Sequence, residues 1–186
     1  MRPVSVGRPI PLIDQRFVDA STGRVLPPNT DGEVWMKGPN VMQGYFNLPK
    51  ETARAFSETG YFRTGDIGRF DDDGHLHITG RLKEMLIIGG ENVFPREIEE
   101  VLERHPAVSA SGVVGISDNM RGELPMAFVE IKEGAAFDEK ELIGWCRQHL
   151  AGYKVPDAVR RLDALPRNAT GKVMRRELKA LAINAQ

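Results

Sequence analysis

Asp66 sits between Gly65 and Ile67 in the segment YFRTGDIG, Tyr61 to Gly68. An ionised carboxylate accepts hydrogen bonds at both oxygens, so Asp66 can bind two adjacent hydroxyls, such as the 2' and 3' hydroxyls of a ribose. Standing alone, a Gly-Asp pair reads as a turn. Arg81 follows the turn glycine Gly80 and offers a planar fork of donors suited to ribose or phosphate oxygens. Lys83, two positions on, reads as a solvated lysine beside that turn. Gly89 and Gly90 suit a sharp turn, or a loop that lets a ligand pass close to the main chain. Lys172 lies in PRNATGKVMRREL, Pro166 to Leu178. The core ATGKV invites comparison with a phosphate loop, but that motif needs glycine where Pro166 stands and Ser or Thr where Val173 stands. A nucleoside triphosphatase loop is therefore excluded, and no segment fits the dinucleotide pattern G-x-G-x-x-G. From its neighbours alone, Lys172 is equally a surface lysine opening a basic helix, since Arg175, Arg176 and Lys179 follow.

The elements that must position these residues fall into two styles. Up to Thr79 the sequence predicts short strands joined by glycine and proline turns, with candidates at Leu12 to Val18, Glu33 to Lys37, Ile67 to Phe70 and His75 to Thr79. Asp71, Asp72, Asp73 and Gly74 supply a hairpin turn between the last two. One helix is expected from Pro49 to Phe56. From Gly80 the stretch GRLKEMLIIGGENVFPREIE reads as turn, strand (Met85 to Ile88), glycine loop and then a capped helix opened by Pro95. Glu97, Glu99 and Glu100 fall in the first turns of that helix, where negative charge favours the dipole, while Ile98, Val101 and Leu102 share one face. Strands are expected at Ser111 to Ile116, Met126 to Ile131 and Val159 to Leu162. A helix capped by Asp138, with Glu141 three residues on, precedes the third of these, and a last helix spans Arg175 to Leu181. Leu142, Trp145, Cys146 and His149 recur at helical spacing, which makes His149 a core-edge residue rather than a ligand. The fold class expected is α+β, a small β-rich segment followed by a compact α+β domain.

Composition narrows the functions. With 186 residues, 41% hydrophobic and 27% charged, the chain is an ordinary soluble protein. Its formal net charge of -1 gives no electrostatic reason to expect nucleic acid or an anionic membrane as a partner. No apolar run approaches the ~20 residues of a transmembrane helix. The start MRPVSVGRP lacks the apolar core of a signal peptide. The single cysteine, Cys146, forms no internal disulfide and reads as a small buried hydrophobe in a reducing compartment, so a cytoplasmic location is expected.

Three ordered segments, YFRTGDIG, GRLKEMLIIGGENVFPREIE and PRNATGKVMRREL, resemble the adenylate-forming enzymes: acyl-CoA synthetases, firefly luciferase and the adenylation domains of peptide synthetases. The resemblance covers essentially the whole chain but only the back part of such an enzyme. It implies a β-rich tail of the N-terminal AMP-binding domain at 1–79 and the C-terminal AMP-binding enzyme domain at 80–186. It also implies that Asp66 and Arg81 contact the nucleotide and that Lys83 is the hinge of C-terminal domain rotation. Gly89 and Gly90 would belong to the loop that lines the pantetheine tunnel. Tyr153 and Lys154 would meet the nucleotide end of CoA, although Val155, Pro156 and Asp157 stand where some relatives carry further basic residues. Lys172 would be the catalytic lysine that bridges the attacking carboxylate and the α-phosphate.

The resemblance implies a ligase that converts a carboxylic acid and ATP to an acyl-adenylate, and then, with CoA, to a thioester and AMP. GGENVFP and PRNATGK are closer to fatty-acyl-CoA ligases than to peptide-synthetase domains. The cofactors implied are ATP/AMP, CoA and Mg2+. The metal's ligand and the acyl pocket belong to an N-terminal domain upstream of this chain, and no metal site is assigned within it. The chain alone is expected to be inactive, and the missing neighbours would leave apolar surface suited to a homo-oligomer. Two alternatives remain. One is a naturally short, non-catalytic module that binds a nucleotide, CoA or a partner, motivated by Met1 as a start. The other is a peptide-synthetase-type adenylation domain.

Overall fold

Strands β1 (Asp14–Val18), β2 (Gly32–Lys37), β3 (Phe62–Phe70) and β4 (Leu76–Arg81) pair antiparallel in that order, with helix α1 (Pro49–Ala55) between the second and third. These elements belong to the first of two units, Met1–Lys83 and Glu84–Gln186, of a computed structural model that describes residues 5–184. The first four residues of MRPVSVGRP lie outside the described residues. Val34 and Met36, like Leu76 and Ile78, are two apart and so share a sheet face. With Phe17 and Phe70, whose rings meet edge to face at 4.7 Å, they make the core of this unit.

Two expectations fail here. Leu12 is not in a strand: it has a φ of 74° and is 83% exposed, in a turn closed from the Ile13 amide to the Ile10 carbonyl. Pro11 within that run helps explain why pairing starts only at Asp14. Helix α1 stops at Ala55, one residue short of the expected Phe56, because Phe56 is extended and bridges to Phe62.

In the second unit the chain runs β5 (Leu86–Ile88), β6 (Glu91–Val93), α2 (Pro95–Glu103), β7 (Val108–Asp118) and β8 (Gly122–Ile131). Helix α3 (Glu139–His149), β9 (Ala158–Arg161) and α4 (Arg175–Asn184) complete it. The sheet order is β6-β5-β8-β7, and β9 pairs parallel to β8. Alternation along β7 and β8 sorts side chains to two faces. Val113, Ala127 and Val129 face Ile98 and Leu102 of α2 and Leu142 and Cys146 of α3. Val114, Met126 and Phe128 face Leu178 and Ala182 of α4. Each large side chain buried this way is worth about 1.5–3 kcal/mol relative to exposure.

The fold is α+β, with one correction to the expected order of elements after β5. Glu91 and Asn92 are not loop: they belong to β6, where Glu91 pairs with Ile88 and Asn92 with Ile87. Gly89 and Gly90 are thus the two-residue turn of a β5–β6 hairpin. Their φ angles of 60° and 89° are those a tight hairpin turn demands, and glycine adopts them without strain. Helix α2 opens at Pro95 as expected but has no side-chain cap, since its N-cap residue is Phe94. Asp138 does cap α3, accepting the amides of Lys140 at 2.8 Å and Glu141 at 3.2 Å. His149 is exposed, with its ring 4.3 Å from that of Trp145. The Cys146 thiol is fully buried, and desolvation pushes its pKa up to about 11, which keeps it unreactive.

Gly112 sets how closely α4 approaches the sheet. A methyl group there would lie 2.6 Å from Leu178 Cδ1 and 3.2 Å from Val173 Cγ1. Gly112→Val is expected to cost the second unit about 1–3 kcal/mol through overpacking. Urea unfolding measures this, and an unchanged midpoint would mean that α4 does not pack over Gly112.

Candidate active site

In the first unit, Asp66 and Arg81 stand opposite each other across β3 and β4. Arg81 Nε donates to Asp66 Oδ1 at 2.9 Å. The Arg81 and Asp66 side chains are 42% and 32% exposed, so the pair adds little stability; its consequence is orientation. A second carboxylate oxygen and the rest of the guanidinium fork are left to meet hydroxyl or phosphate oxygens. The backbone beneath is held by residues that sequence reasoning passed over. Thr64 Oγ1 donates to the Val34 carbonyl at 2.7 Å and accepts the Asp66 amide at 3.0 Å. Glu33, buried at 6% exposure, accepts the Gly65 amide at 3.2 Å and the Trp35 indole N–H at 2.8 Å. No pattern in the sequence marks Glu33, since an acidic residue in a strand ordinarily faces solvent.

Lys83 lies in a 3-10 turn, Leu82–Glu84, exposed and at the end of the first unit. Arg81 before it is fixed by β4 pairing, and Glu84 after it receives Arg175 Nη1 at 3.0 Å. Only two residues separate these anchors, so a change of backbone direction between them falls on Leu82 and Lys83.

In the second unit, Lys172 is presented by a loop that Asn168 organises. Asn168 Oδ1 accepts the amides of Thr170 at 3.1 Å and Lys172 at 2.9 Å and the Thr170 hydroxyl at 2.7 Å, and the Asn168 amide donates to the Lys172 carbonyl. An Arg167–Val173 bridge closes the base. The order N-A-T-G carries the signal for this turn, because an asparagine side chain readily accepts amides two or more residues on. Lys172 itself is exposed, and its side chain is a long flexible stem that carries the amine outward.

Gly89 and Gly90 are exposed at their hairpin turn. Tyr153 and Lys154 lie in a 3-10 turn, Gly152–Lys154. Tyr153 is 38% exposed and offers its ring, whereas Lys154 Nζ is 2.8 Å from both carboxylate oxygens of Glu97. The Lys154 ammonium thus already has an anionic partner. Glu99, expected to serve the helix dipole, turns inward instead: it accepts the Val113 amide at 2.8 Å and two contacts from Arg175 Nη2 at 2.7 Å. Burial raises its pKa, outweighing the lowering by Arg175 and by the Val113 amide. With Glu103, which accepts the Ser111 amide at 3.1 Å, it caps the outer edge of β7.

Among the described residues, the potential metal ligands that lie together are Asp71, Asp73 and His75 at the β3–β4 turn. Asp71 there accepts the amides of Asp73 and His75 and meets a ring nitrogen of His77 at 3.0 Å. The hydrogen bonds within the cluster are those of a turn.

The chain can be placed by its relatives. The family model for the AMP-binding enzyme C-terminal domain matches residues 97–172, and the model for AMP-binding enzymes matches residues 1–46. The chain belongs to the AMP-binding, adenylate-forming enzyme superfamily. It is 46% identical over 171 residues to 2-succinylbenzoate–CoA ligase of Geobacillus kaustophilus, covering 92% of this chain and 35% of that protein. It is 43% identical over 177 residues to long-chain-fatty-acid–CoA ligase of Bacillus subtilis, covering 95% of this chain and 31% of that one. The solved structure of o-succinylbenzoate CoA synthetase from Bacillus subtilis, in complex with its acyl-adenylate intermediate, matches with a TM-score of 0.86 at 38% identity, over 96% of this chain and 36% of that one. The chain therefore spans about a third of the length of these relatives. No helix among the described residues is long and apolar enough to cross a membrane.

Proposed function

We propose that the chain is the C-terminal part of an ATP-dependent acid–thiol ligase that makes an acyl-adenylate from a carboxylic acid and ATP and passes the acyl group to CoA. The observation that carries this reading is the identity of 46% and 43% to two CoA ligases along nearly the whole chain. In this reading 1–79 closes the N-terminal domain and 80–186 is the C-terminal domain. Asp66 and Arg81 hold the nucleotide, Lys83 is the hinge, and Lys172 supplies positive charge to the adenylation step. Gly89, Gly90 and Tyr153 border the path of CoA, and Lys154 joins them if CoA phosphate displaces Glu97. Mg2+ is held by the front part, and the location is cytoplasmic. The two relatives named act on an aromatic and a long-chain acid, so the acid is set by the front part as well.

The test is trapping of acyl-hydroxamate from ATP and carboxylic acids. The 186-residue chain alone is expected to give none, and the same chain joined to the front portion of the Geobacillus relative is expected to turn over. Turnover by the chain alone, at the rate of an intact ligase, would refute its reading as a part. A folded fusion that binds ATP yet forms no adenylate would favour a non-catalytic module.

A further inference from the structure

We propose that Arg175 is a positioning residue, a strut that ties the Lys172 loop to the first residue after the hinge. The proposal rests on the reading of Lys172 and Lys83 given above. Arg175 opens α4 three residues after Lys172, directly at the base of the loop, where the Met174 amide donates to the Pro166 carbonyl at 2.8 Å. Its guanidinium reaches two different elements. Nη2 lies 2.7 Å from both oxygens of Glu99 on α2, and Nη1 lies 3.0 Å from Glu84, the neighbour of Lys83. Glu99 is fixed in turn by the Val113 amide of β7 at 2.8 Å. One end of the strut is therefore a sheet strand and the other is the segment leaving the hinge.

Stability alone is a poor reason for this arrangement. Nε of Arg175 is buried without a partner among the described residues, and the Glu99 carboxylate is largely withdrawn from water. Buried ion pairs recover their desolvation cost only with full hydrogen bonding, and an apolar replacement is often as stable. What the pair adds is geometry, because a planar fork can span two carboxylates at fixed angles where an ammonium cannot. A loop held this way moves with its unit as one body when the backbone turns at Lys83. Lys172 then arrives in register without a separate search.

The experiment has two arms. In the 186-residue chain, Arg175→Met is expected to speed hydrogen exchange at the Asn168 and Met174 amides by about tenfold, while Ala127 and Phe128 in β8 keep their protection. Unchanged exchange in the loop, or loosening of the loop in step with β8, would overturn the proposal, the second by showing a merely stabilising role. In the fusion, Arg175→Met is expected to lower kcat for acyl-adenylate formation by about a hundredfold with little change in KM for ATP, as misplacement of a positioned group does. Arg175→Lys is expected to restore only part of it. Full kcat in Arg175→Met would overturn the catalytic consequence. Lys172→Ala in the same fusion separates the two readings: if it keeps full adenylation, the role of Lys172 falls, while the exchange arm still decides the strut.

Discussion

Lys172→Ala in the fused enzyme is expected to lower acyl-adenylate formation by about 10²–10³-fold, the loss that removal of one preorganised electrostatic group brings. Thioester formation from supplied acyl-adenylate is expected to stay near the parent rate. The reason lies in where charge develops. A carboxylate attacking the α-phosphate brings two anionic groups together, and a single flexible ammonium can hold both while offsetting the charge that builds at phosphorus. In the second step a thiol attacks a carbonyl and AMP leaves, and no such pair of anions has to be brought together. The loop supports this division because Asn168 fixes the Lys172 backbone at 2.9 Å while the side chain projects exposed. Single-turnover assays of the two steps separate them. Equal loss in both would show that the lysine stabilises the enzyme as a whole rather than one step.

How far the sequence revealed this site depends on the distance over which each signal acts. Gly89 and Gly90, Pro95, Asp138 and the Asp71 to Gly74 turn were legible because each dictates backbone shape within a few residues. The α+β class followed from the change of periodicity at Gly80. Strand β6 was hidden because Glu91 and Asn92 are poor strand formers, and they pair only because the turn brings them against Ile87 and Ile88. Glu99 was misread for a similar reason. Its place in the first turns of α2 suggested the helix dipole, but its partners, Val113 and Arg175, are 14 and 76 residues away along the chain. Glu33 meets Gly65 at a separation of 32 residues. These are contacts created by folding, and a carboxylate destined for burial looks locally like any other. The roles proposed for Asp66, Arg81 and Lys172 rest on three motifs read together. Of what holds them in place, the Asn168 turn beneath Lys172 has a local signal, whereas the Glu33 contact to Gly65 has none.

Lys83→Pro in the fusion is expected to act on the other half-reaction, lowering thioester formation from supplied acyl-adenylate by about a hundredfold, on the scale that misplaced reacting groups produce. Adenylation is expected to fall far less. Proline fixes φ at about −65° at residue 83 and biases Leu82 away from helical angles. Those are the two residues between the anchored Arg81 and the anchored Glu84, so the restriction lands where the proposed rotation would be absorbed. Neither side chain chemistry nor burial explains the position, because Lys83 is exposed. Lys83→Ala serves as the control, since it removes the ammonium but keeps φ free, and it is expected to retain both steps. Loss of the thioester step in both variants would assign the effect to the lysine charge, and an unchanged step in Lys83→Pro would remove residue 83 as the hinge. A selective loss in proline alone would show that the backbone at this point, and no side chain, limits passage from one half-reaction to the next.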